Sequence, residues 1–369
     1  MNYVKFNQEI SLSQLGMGVM RLPQKGKDSK SPIDYEKAEQ LIDYCFNQGI
    51  NYFDTAYTYN NGESEIVLGK ALKKYLRESF YIADKYHIMA KKNYQEQFEE
   101  QLKRLQMDYI DFYLLHSVFD STVSDYLTNG CIEYFLEQKA KGKIRHLGFS
   151  LHGSVATLQT TLDHHRWDFA QIQLNYYDWY HGIAKEQYHL LTERKIPIMV
   201  MEPLHGGMLV SLTDEGNAKL LATEPERTIA SWGLRFLIGM PDVSVILSGI
   251  ENIEQAKENI ATIEENKMLS DTELELLKES CALLYESVAA TCTSCRYCCE
   301  DCPQGLDIPA LLVYYNELKL GGSWRLAGLK AFAKDKMPSA CIGCGVCKQH
   351  CPQNLDIQNF MEKMAKLGY

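Results

Sequence analysis

Short apolar runs recur through residues 1–265, with amphipathic stretches between them. The runs are NYFDTA (51–56), FYIADK (80–85), YIDFYLLH (109–116), IRHLGFS (144–150), FAQIQLN (169–175), IPIMVME (196–202) and VSVILSG (243–249). Short, mostly apolar segments of this kind are the pattern of parallel strands buried on both faces. GMGVMRLP (16–23) fits an eighth. The intervening YEKAEQLIDYCFNQG, SEIVLGKALKKYL, QEQFEEQLKRLQ, CIEYFLEQKAKG and AKEQYHLLTERK read as amphipathic helices. Eight strand–helix units in roughly 260 residues predict an α/β protein with a (β/α)8 TIM barrel. The alternative is an open doubly wound sheet, but no G-x-G-x-x-G follows the first strand. Beyond the barrel, DTELELLKESCALLYESVAA (271–290) reads as one connecting helix, and segments 310–320, 324–335 and 357–367 also look helical. The expected organisation is a barrel over 1–270, a connecting helix over 271–290 and a small α-helical domain over 291–369.

Composition narrows the class. Apolar residues are 46% and charged residues 23%, which excludes a disordered chain. The net charge of −10 argues against a nucleic-acid binder, which would carry a basic face. No apolar run approaches the ~18–20 residues of a membrane span, and MNYVKFNQEI lacks the apolar core of a signal peptide. The expectation is a soluble, cytoplasmic protein with no nucleic-acid or membrane partner.

Nine of the 12 cysteines fall within residues 292–369. In a reducing compartment such a cluster points to metal rather than disulfides. Cys292, Cys295, Cys298 and Cys302 form one C-x2-C-x2-C-x3-C-P run, and Cys341, Cys344, Cys347 and Cys351 form a second. Three thiolates two residues apart wrap one face of a cubane, and the fourth, before proline, usually serves the other cluster. The expected sets for two [4Fe–4S] clusters are therefore Cys292, Cys295, Cys298 and Cys351, and Cys341, Cys344, Cys347 and Cys302. Cys299 is left over. A zinc ribbon needs only paired C-x2-C and would leave both Cys-Pro cysteines unexplained. The tail resembles bacterial dicluster ferredoxins, but 38 residues of helical pattern separate Cys302 from Cys341. It is similar to the α-helical ferredoxin type fused to redox enzymes.

In the barrel, Phe53-Asp54-Thr55-Ala56-Tyr57-Thr58-Tyr59, Gly62-Glu63-Ser64-Glu65 and Leu68-Gly69-Lys70-Ala71-Leu72 resemble the aldo-keto reductase signature. Lys85 and His116, at the ends of the third and fourth predicted strands when 16–23 is counted as the first, complete that family's tetrad. The four types make chemical sense together. A carbonyl that accepts hydride needs a proton on its oxygen. A free tyrosine titrates near 10, and a neighbouring ammonium lowers that value. Lys85 can do this for Tyr59, Asp54 can hold Lys85, and His116 can hydrogen-bond the substrate oxygen. Each residue alone has a bland structural explanation; all four in order do not. Tyr59 rather than Tyr57 matches the family's spacing from the aspartate.

The resemblance also implies a nicotinamide site. Ser150 and Gln171 match the residues that reach the carboxamide, although the Asn usually following the serine is Leu151 here. Met201 stands where many members stack a tyrosine on the ring. Leu204 matches the pyrophosphate loop, and Ser248, Gly249, Gln255 and Asn259 match the adenosine end. Met20, after the first strand, completes the cofactor candidates. No Lys or Arg occurs in 248–256, while Glu251 and Glu254 do, so NAD(H) is favoured over NADP(H). The implied function is hydride transfer between NAD(P)H and a carbonyl/alcohol substrate, with two clusters for electron transfer or redox sensing. A redox protein such as ferredoxin is a candidate partner. The rival readings are a non-catalytic redox-sensing module, like the barrel β subunits of potassium channels, and a one-electron transfer subunit. Hydride moves two electrons and each cubane usually takes one; no separate flavin fingerprint bridges them.

Overall fold

The computed structural model describes residues 1–26, 31–288, 290–292, 295–321, 326, 328–329, 332–351 and 353–369. Its chain divides into two compact units, Met1–Leu204 with Ala230–Leu274, and His205–Ile229 with Glu275–Tyr369.

The first unit begins with an antiparallel hairpin, β1 (Tyr3–Lys5) and β2 (Ser11–Ser13). Eight parallel strands follow: β3 (Leu15–Gly18), β4 (Tyr52–Asp54), β5 (Tyr81–Tyr86), β6 (Ile110–Val118), β7 (Ile144–Leu151), β8 (Phe169–Gln173), β9 (Ile198–Met201) and β10 (Val243–Ser248). They pair in chain order, and β10 pairs back onto β3 through Ile246↔Leu15 and Ser248↔Met17, closing the barrel. This excludes the open doubly wound sheet. All eight apolar runs contain strands. In 16–23 only the first half is extended, and Val19–Arg21 form a 3-10 turn. The hairpin had no period-2 signal long enough to read. Its Leu12, with Phe6, packs against Tyr52, Ala83, Phe112, Leu114, Phe169, Met199, Val245 and Leu247, an apolar layer inside the barrel.

Several helices begin where short polar side chains satisfy their first N–H groups. Asp34, Asn93, Ser154, Asn175 and Asn252 each cap one. Gly69 in helix Glu63–Leu72 is dictated by packing. A Cβ there would lie 2.1 Å from the Leu105 carbonyl oxygen, at the end of helix Tyr94–Leu105.

In the second unit, helices Ile308–Gly321 and Ile357–Ala365 pack on one another. Their core includes Leu306, Leu311, Leu312, Tyr315, Ile357, Met361 and Met364. Two near-identical segments, Cys302-Pro-Gln-Gly-Leu-Asp-Ile308 and Cys351-Pro-Gln-Asn-Leu-Asp-Ile357, lead into these helices. Gly305 and Asn354 occupy the same left-handed conformation, φ 58° and 52°, at equivalent positions. Arg296 and Gly345, each following a middle cysteine, match likewise at φ 67° and 76°. The cysteine repeat is thus also a backbone repeat. Of the helix expected over 324–335, residues 324, 325, 327, 330 and 331 lie outside the described residues; the rest form no α-helix, and Lys334 and Asp335 belong to the 3-10 turn Lys334–Lys336. No helix among the described residues is long and apolar enough to cross a membrane.

Candidate functional site

The C-terminal ends of the barrel strands carry the candidate residues. Asp54 closes β4, Lys85 lies near the end of β5 and His116 near the end of β6. Tyr59 stands in the loop after β4. Two asparagines, Asn60 and Asn61, follow it in the left-handed conformation that asparagine tolerates, and Gly62 at φ 86° then opens the next helix. That tight reversal fixes where the Tyr59 ring lies.

Lys85 is fully buried. Its Nζ donates to Asp54 Oδ1 at 2.6 Å and to the Thr55 carbonyl at 2.6 Å. The same Nζ is 5.1 Å from the centre of the Tyr59 ring. The Tyr59 and His116 rings meet edge to face, 5.8 Å apart. Tyr57 turns elsewhere: its hydroxyl donates to Glu100 at 2.7 Å and Arg104 lies over its ring.

The electrostatics follow from this packing. Burial works against the Lys85 charge, yet Asp54 and then Tyr59 outweigh it, so the ammonium titrates above its ordinary value. Burial raises the Tyr59 phenol; Lys85 opposes that rise, as expected, but Asp54 and Glu202 add to it and the net direction is up. The hydroxyl therefore keeps its proton at neutral pH, as a proton donor must. Burial, then the charges of Lys85, His87 and His152, push His116 well below its ordinary value, so the ring is neutral. Backbone strain accompanies the strand exits. Ser117 and Glu202, immediately after His116 and Met201, both sit at φ 55°.

Residues for a nicotinamide cofactor line the remaining strand ends. Gln171 Oε1 is buried with no partner among the described residues, while its Nε2 donates to Met201 Sδ at 3.7 Å. An unspent buried acceptor fits a carboxamide N–H. Ser150 Oγ accepts from the Ser117 N–H at 2.9 Å, and Leu151 is buried in the strand. Leu204 is half-buried and packs over Gly233. Asn259 Nδ2 donates to Ser248 Oγ at 3.0 Å. Gln255 is exposed, and its side-chain oxygen accepts from the Glu251 N–H. Met20 is 53% exposed in the 3-10 turn, and Gly249 is exposed.

Some neighbours were not foreseen. His87 lies two residues past Lys85, just beyond the end of β5, with its ring 5.0 Å from that of His116. Thr55 and Glu202 join the Lys85–Tyr59 environment. Arg21 stands against Gly249, with its guanidinium 3.6 Å from Glu251. No local pattern signals this approach, because only barrel closure brings β3 beside β10.

In the second unit one hollow is lined by Cys292, Cys295, Cys298 and Cys351, together with Leu312, Leu355 and Ile357. Burial, with Cys299 and Cys292 beside it, pushes the Cys298 thiol up to about 12. Burial and the nearby Cys341, Cys344 and Cys302 likewise raise Cys347. A metal bound here would hold these sulfurs as thiolates. The donor set fits iron–sulfur ligation, with two groups each combining three cysteines of one run and the Cys-Pro cysteine of the other. Cys295 and Cys344 are exposed; Cys299 is partly buried.

A closed parallel barrel with a buried Lys–Asp pair beside Tyr and His at its mouth, joined to a thiol-rich helical unit, defines an iron–sulfur-containing oxidoreductase. The sequence matches the aldo/keto reductase family over residues 14–281 and a 4Fe-4S dicluster domain over residues 291–355, and the chain belongs to the aldo/keto reductase family. Among curated relatives, a probable aldo-keto reductase of Glycine max is 31% identical, over 54% of this chain and 58% of its own length. The NADH-specific methylglyoxal reductase of Escherichia coli (strain K12) is 26% identical over 73% of this chain and 95% of its own. Among solved structures, the holo form of an aldo-keto reductase from Bacillus halodurans superposes with a TM-score of 0.63 at 26% identity, covering 76% of this chain and 96% of that one. The protein is an NAD(P)H-dependent oxidoreductase carrying an iron–sulfur domain.

Proposed function

We propose that the barrel transfers hydride reversibly between NAD(P)H and a small carbonyl/alcohol substrate, with Tyr59 as general acid. The observation that carries this reading is Lys85 Nζ, held at 2.6 Å by Asp54 and 5.1 Å from the Tyr59 ring, with His116 alongside. The neutral His116 orients the substrate carbonyl by donating one N–H to its oxygen. Tyr59 then gives its proton to that oxygen as negative charge develops there. The phenolate left behind is stabilised by Lys85, whose own charge is compensated by Asp54. Water re-protonates Tyr59 between turnovers. In the opposite direction Tyr59 accepts the alcohol proton.

Ser150, Gln171, Met201, Leu204, Ser248, Gly249, Asn259, Gln255 and Met20 are the residues assigned to the dinucleotide, which supplies or takes back the hydride when bound. The orphaned Gln171 Oε1 supports the carboxamide end. NADH is the favoured form, because residues 248–256 contain two carboxylates and no cation. Two [4Fe–4S] clusters are assigned to Cys292, Cys295, Cys298 and Cys351, and to Cys341, Cys344, Cys347 and Cys302. Exchange of single electrons with an outside carrier, or redox sensing, is the role assigned to these clusters.

The test is Tyr59→Phe in anaerobically purified protein, assayed on a panel of small aldehydes and ketones. The expected result is a loss of about 10²–10⁴-fold in kcat with nucleotide affinity retained, since only the proton donor is removed. A loss of less than about tenfold would show that Tyr59 is not the acid.

A further inference from the structure

Between the barrel and its helices lie two buried carboxyl groups that the proposed reaction does not use. Side chains alternate along β5: Ala83 joins the apolar layer inside the barrel, and Asp84 takes the opposite face. There it lies within hydrogen-bond reach of Glu65, in the first turn of helix Glu63–Leu72. Both residues are fully buried. Asp84 Oδ1 accepts from the Lys85 N–H at 2.8 Å, and Glu65 Oε2 accepts from Arg104 Nη1 at 2.7 Å. The other two oxygens, Asp84 Oδ2 and Glu65 Oε1, have no donor among the described residues. Donors nearby are engaged elsewhere. The hydroxyl of Tyr113, in register with Asp84, donates to Gln101 Oε1 at 2.6 Å, and Gln101 Nε2 donates to the Lys85 carbonyl at 3.1 Å. Lys85 Nζ is held by Asp54 and the Thr55 carbonyl.

We propose that Asp84 is a neutral carboxylic acid sharing its proton with Glu65, and that it is a positioning residue joining Lys85 to the loop of Tyr59. Charge explains the proton. Asp54 already compensates the Lys85 ammonium, and Arg104 compensates one carboxylate of the pair. Glu100, 4.0 Å from Arg104, is served by Lys91 at 2.6 Å. A second carboxylate in this layer would stand uncompensated, and like charges at one buried site disfavour double ionisation. Burial, then the Glu65 charge, accordingly raise Asp84 well above its ordinary value. One proton between the two groups also gives their orphaned oxygens the donor they lack. Connectivity explains the positioning. From the Lys85 N–H, a chain of hydrogen bonds runs through Asp84 and Glu65 to Arg104. The same Arg104 Nη1 donates to the Tyr57 carbonyl at 3.3 Å, two residues before Tyr59, and the guanidinium lies 4.3 Å from the Tyr57 ring centre. The ends of the chain are therefore the backbone of Lys85 and the backbone of the loop that carries Tyr59. The shared proton is the link that ionisation of Asp84 would break.

Two measurements on the anaerobically purified full-length protein test this. The infrared difference spectrum of wild type minus Asp84→Asn, at neutral pH, reads the proton without any turnover. It should contain the carbonyl stretch of one protonated carboxyl group; a difference spectrum without that band overturns the proposal. The second measurement rests on the reading of Tyr59 as the acid. Asp84→Asn keeps a neutral group that can donate to Glu65 and accept from the Lys85 N–H, so its kcat should stay close to that of wild type. Asp84→Leu can do neither, and its kcat should fall by about 10–10²-fold as the Tyr59 loop shifts against Lys85, with the nucleotide Kd unchanged. Thermal unfolding reports that each variant is folded; should Asp84→Leu fail to fold, Asp84→Ala breaks the same chain and is read the same way. A folded Asp84→Leu or Asp84→Ala with wild-type kcat overturns the positioning role. Failure of the Tyr59 reading shows separately, as activity retained in Tyr59→Phe; it removes the positioning role with it and leaves the shared proton, seen in the infrared, standing.

Discussion

His116 illustrates how a single residue takes its chemistry from its surroundings. It is 7% exposed, its Nδ1 has no partner among the described residues, and Tyr126 donates to its backbone carbonyl at 2.5 Å. Burial, and the positive field of Lys85 behind it, make protonation unfavourable. The folded imidazole therefore binds no proton at pH values where an unfolded one, titrating near 6.5, does. Stability attributable to His116 is present above that value and declines as the pH falls below it. The 15N resonances of the His116 ring should stay at their neutral-form positions from pH 8 to pH 5.5; a titration centred near 6.5 would contradict the buried, neutral assignment. His87, which shares its edge-to-face contact and is also lowered by burial, should behave in the same direction.

Two elements show how motifs become packing. The Leu68-Gly69 step looks like a family signature, and its physical content is the 2.1 Å gap between a Cβ at Gly69 and the Leu105 carbonyl oxygen. Gly69→Ala must push helix Glu63–Leu72 off its neighbour, at an expected cost of about 1–3 kcal/mol read from chemical denaturation. Helix Asp271–Val288 opens with Ser270 and Glu273 in a reciprocal cap: Ser270 donates its N–H to Glu273 Oε2 at 2.8 Å, and the Glu273 N–H donates to Ser270 Oγ at 3.3 Å. The same carboxylate accepts from the fully buried Arg235 at 2.6 Å. Burial opposes the Glu273 charge, but the Ser270 and Arg235 bonds prevail and hold its pKa down to about 2, from 4.5. This carboxylate thus stabilises the fold above about pH 4.5 and loses that contribution as the pH falls through about 2. Glu273→Gln should cost about 2–3 kcal/mol at pH 7, with the gap to wild type narrowing below pH 4.5.

Across the molecule, the chain joins two kinds of redox chemistry with different electron counts. On the proposed reading the barrel moves a hydride, whereas iron–sulfur clusters in the thiol-rich unit would move electrons singly. The crossed cysteine sets carry their own prediction. With two [4Fe–4S] clusters the protein holds about eight irons, and loss of one cluster leaves about four. Cys295→Ser combined with Cys351→Ser should keep about four, because both changes strike the same cluster. Cys344→Ser combined with Cys351→Ser should leave almost none. The reverse outcome would mean that each run ligates its own cluster.

The barrel was legible in the chain because parallel strands buried on both faces must be short and apolar, and their spacing leaves room for one helix each. The tetrad and the cysteine runs were legible because their chemistry needs particular side chains at particular separations. Asp54 ends β4 and Tyr59 follows five residues later, and Cys292 and Cys302 lie ten residues apart in sequence. What tertiary structure decided lies where distant segments meet. The hairpin strands β1 and β2 are too short to show a period, and only their packing on Tyr52 and Phe112 gives them a reason to form. Lys85 lies beyond hydrogen-bond reach of Asp54 until β4 pairs with β5. Tyr57 and Tyr59 are chemically alike, and only Glu100 and Arg104 on a neighbouring helix draw one of them away from Lys85. Arg21 reaches Glu251 only because the first and last strands of the barrel join. Periodicity reports how a segment is buried and spacing reports what a loop can chelate, whereas a contact between residues hundreds of positions apart exists only once the sheet has closed.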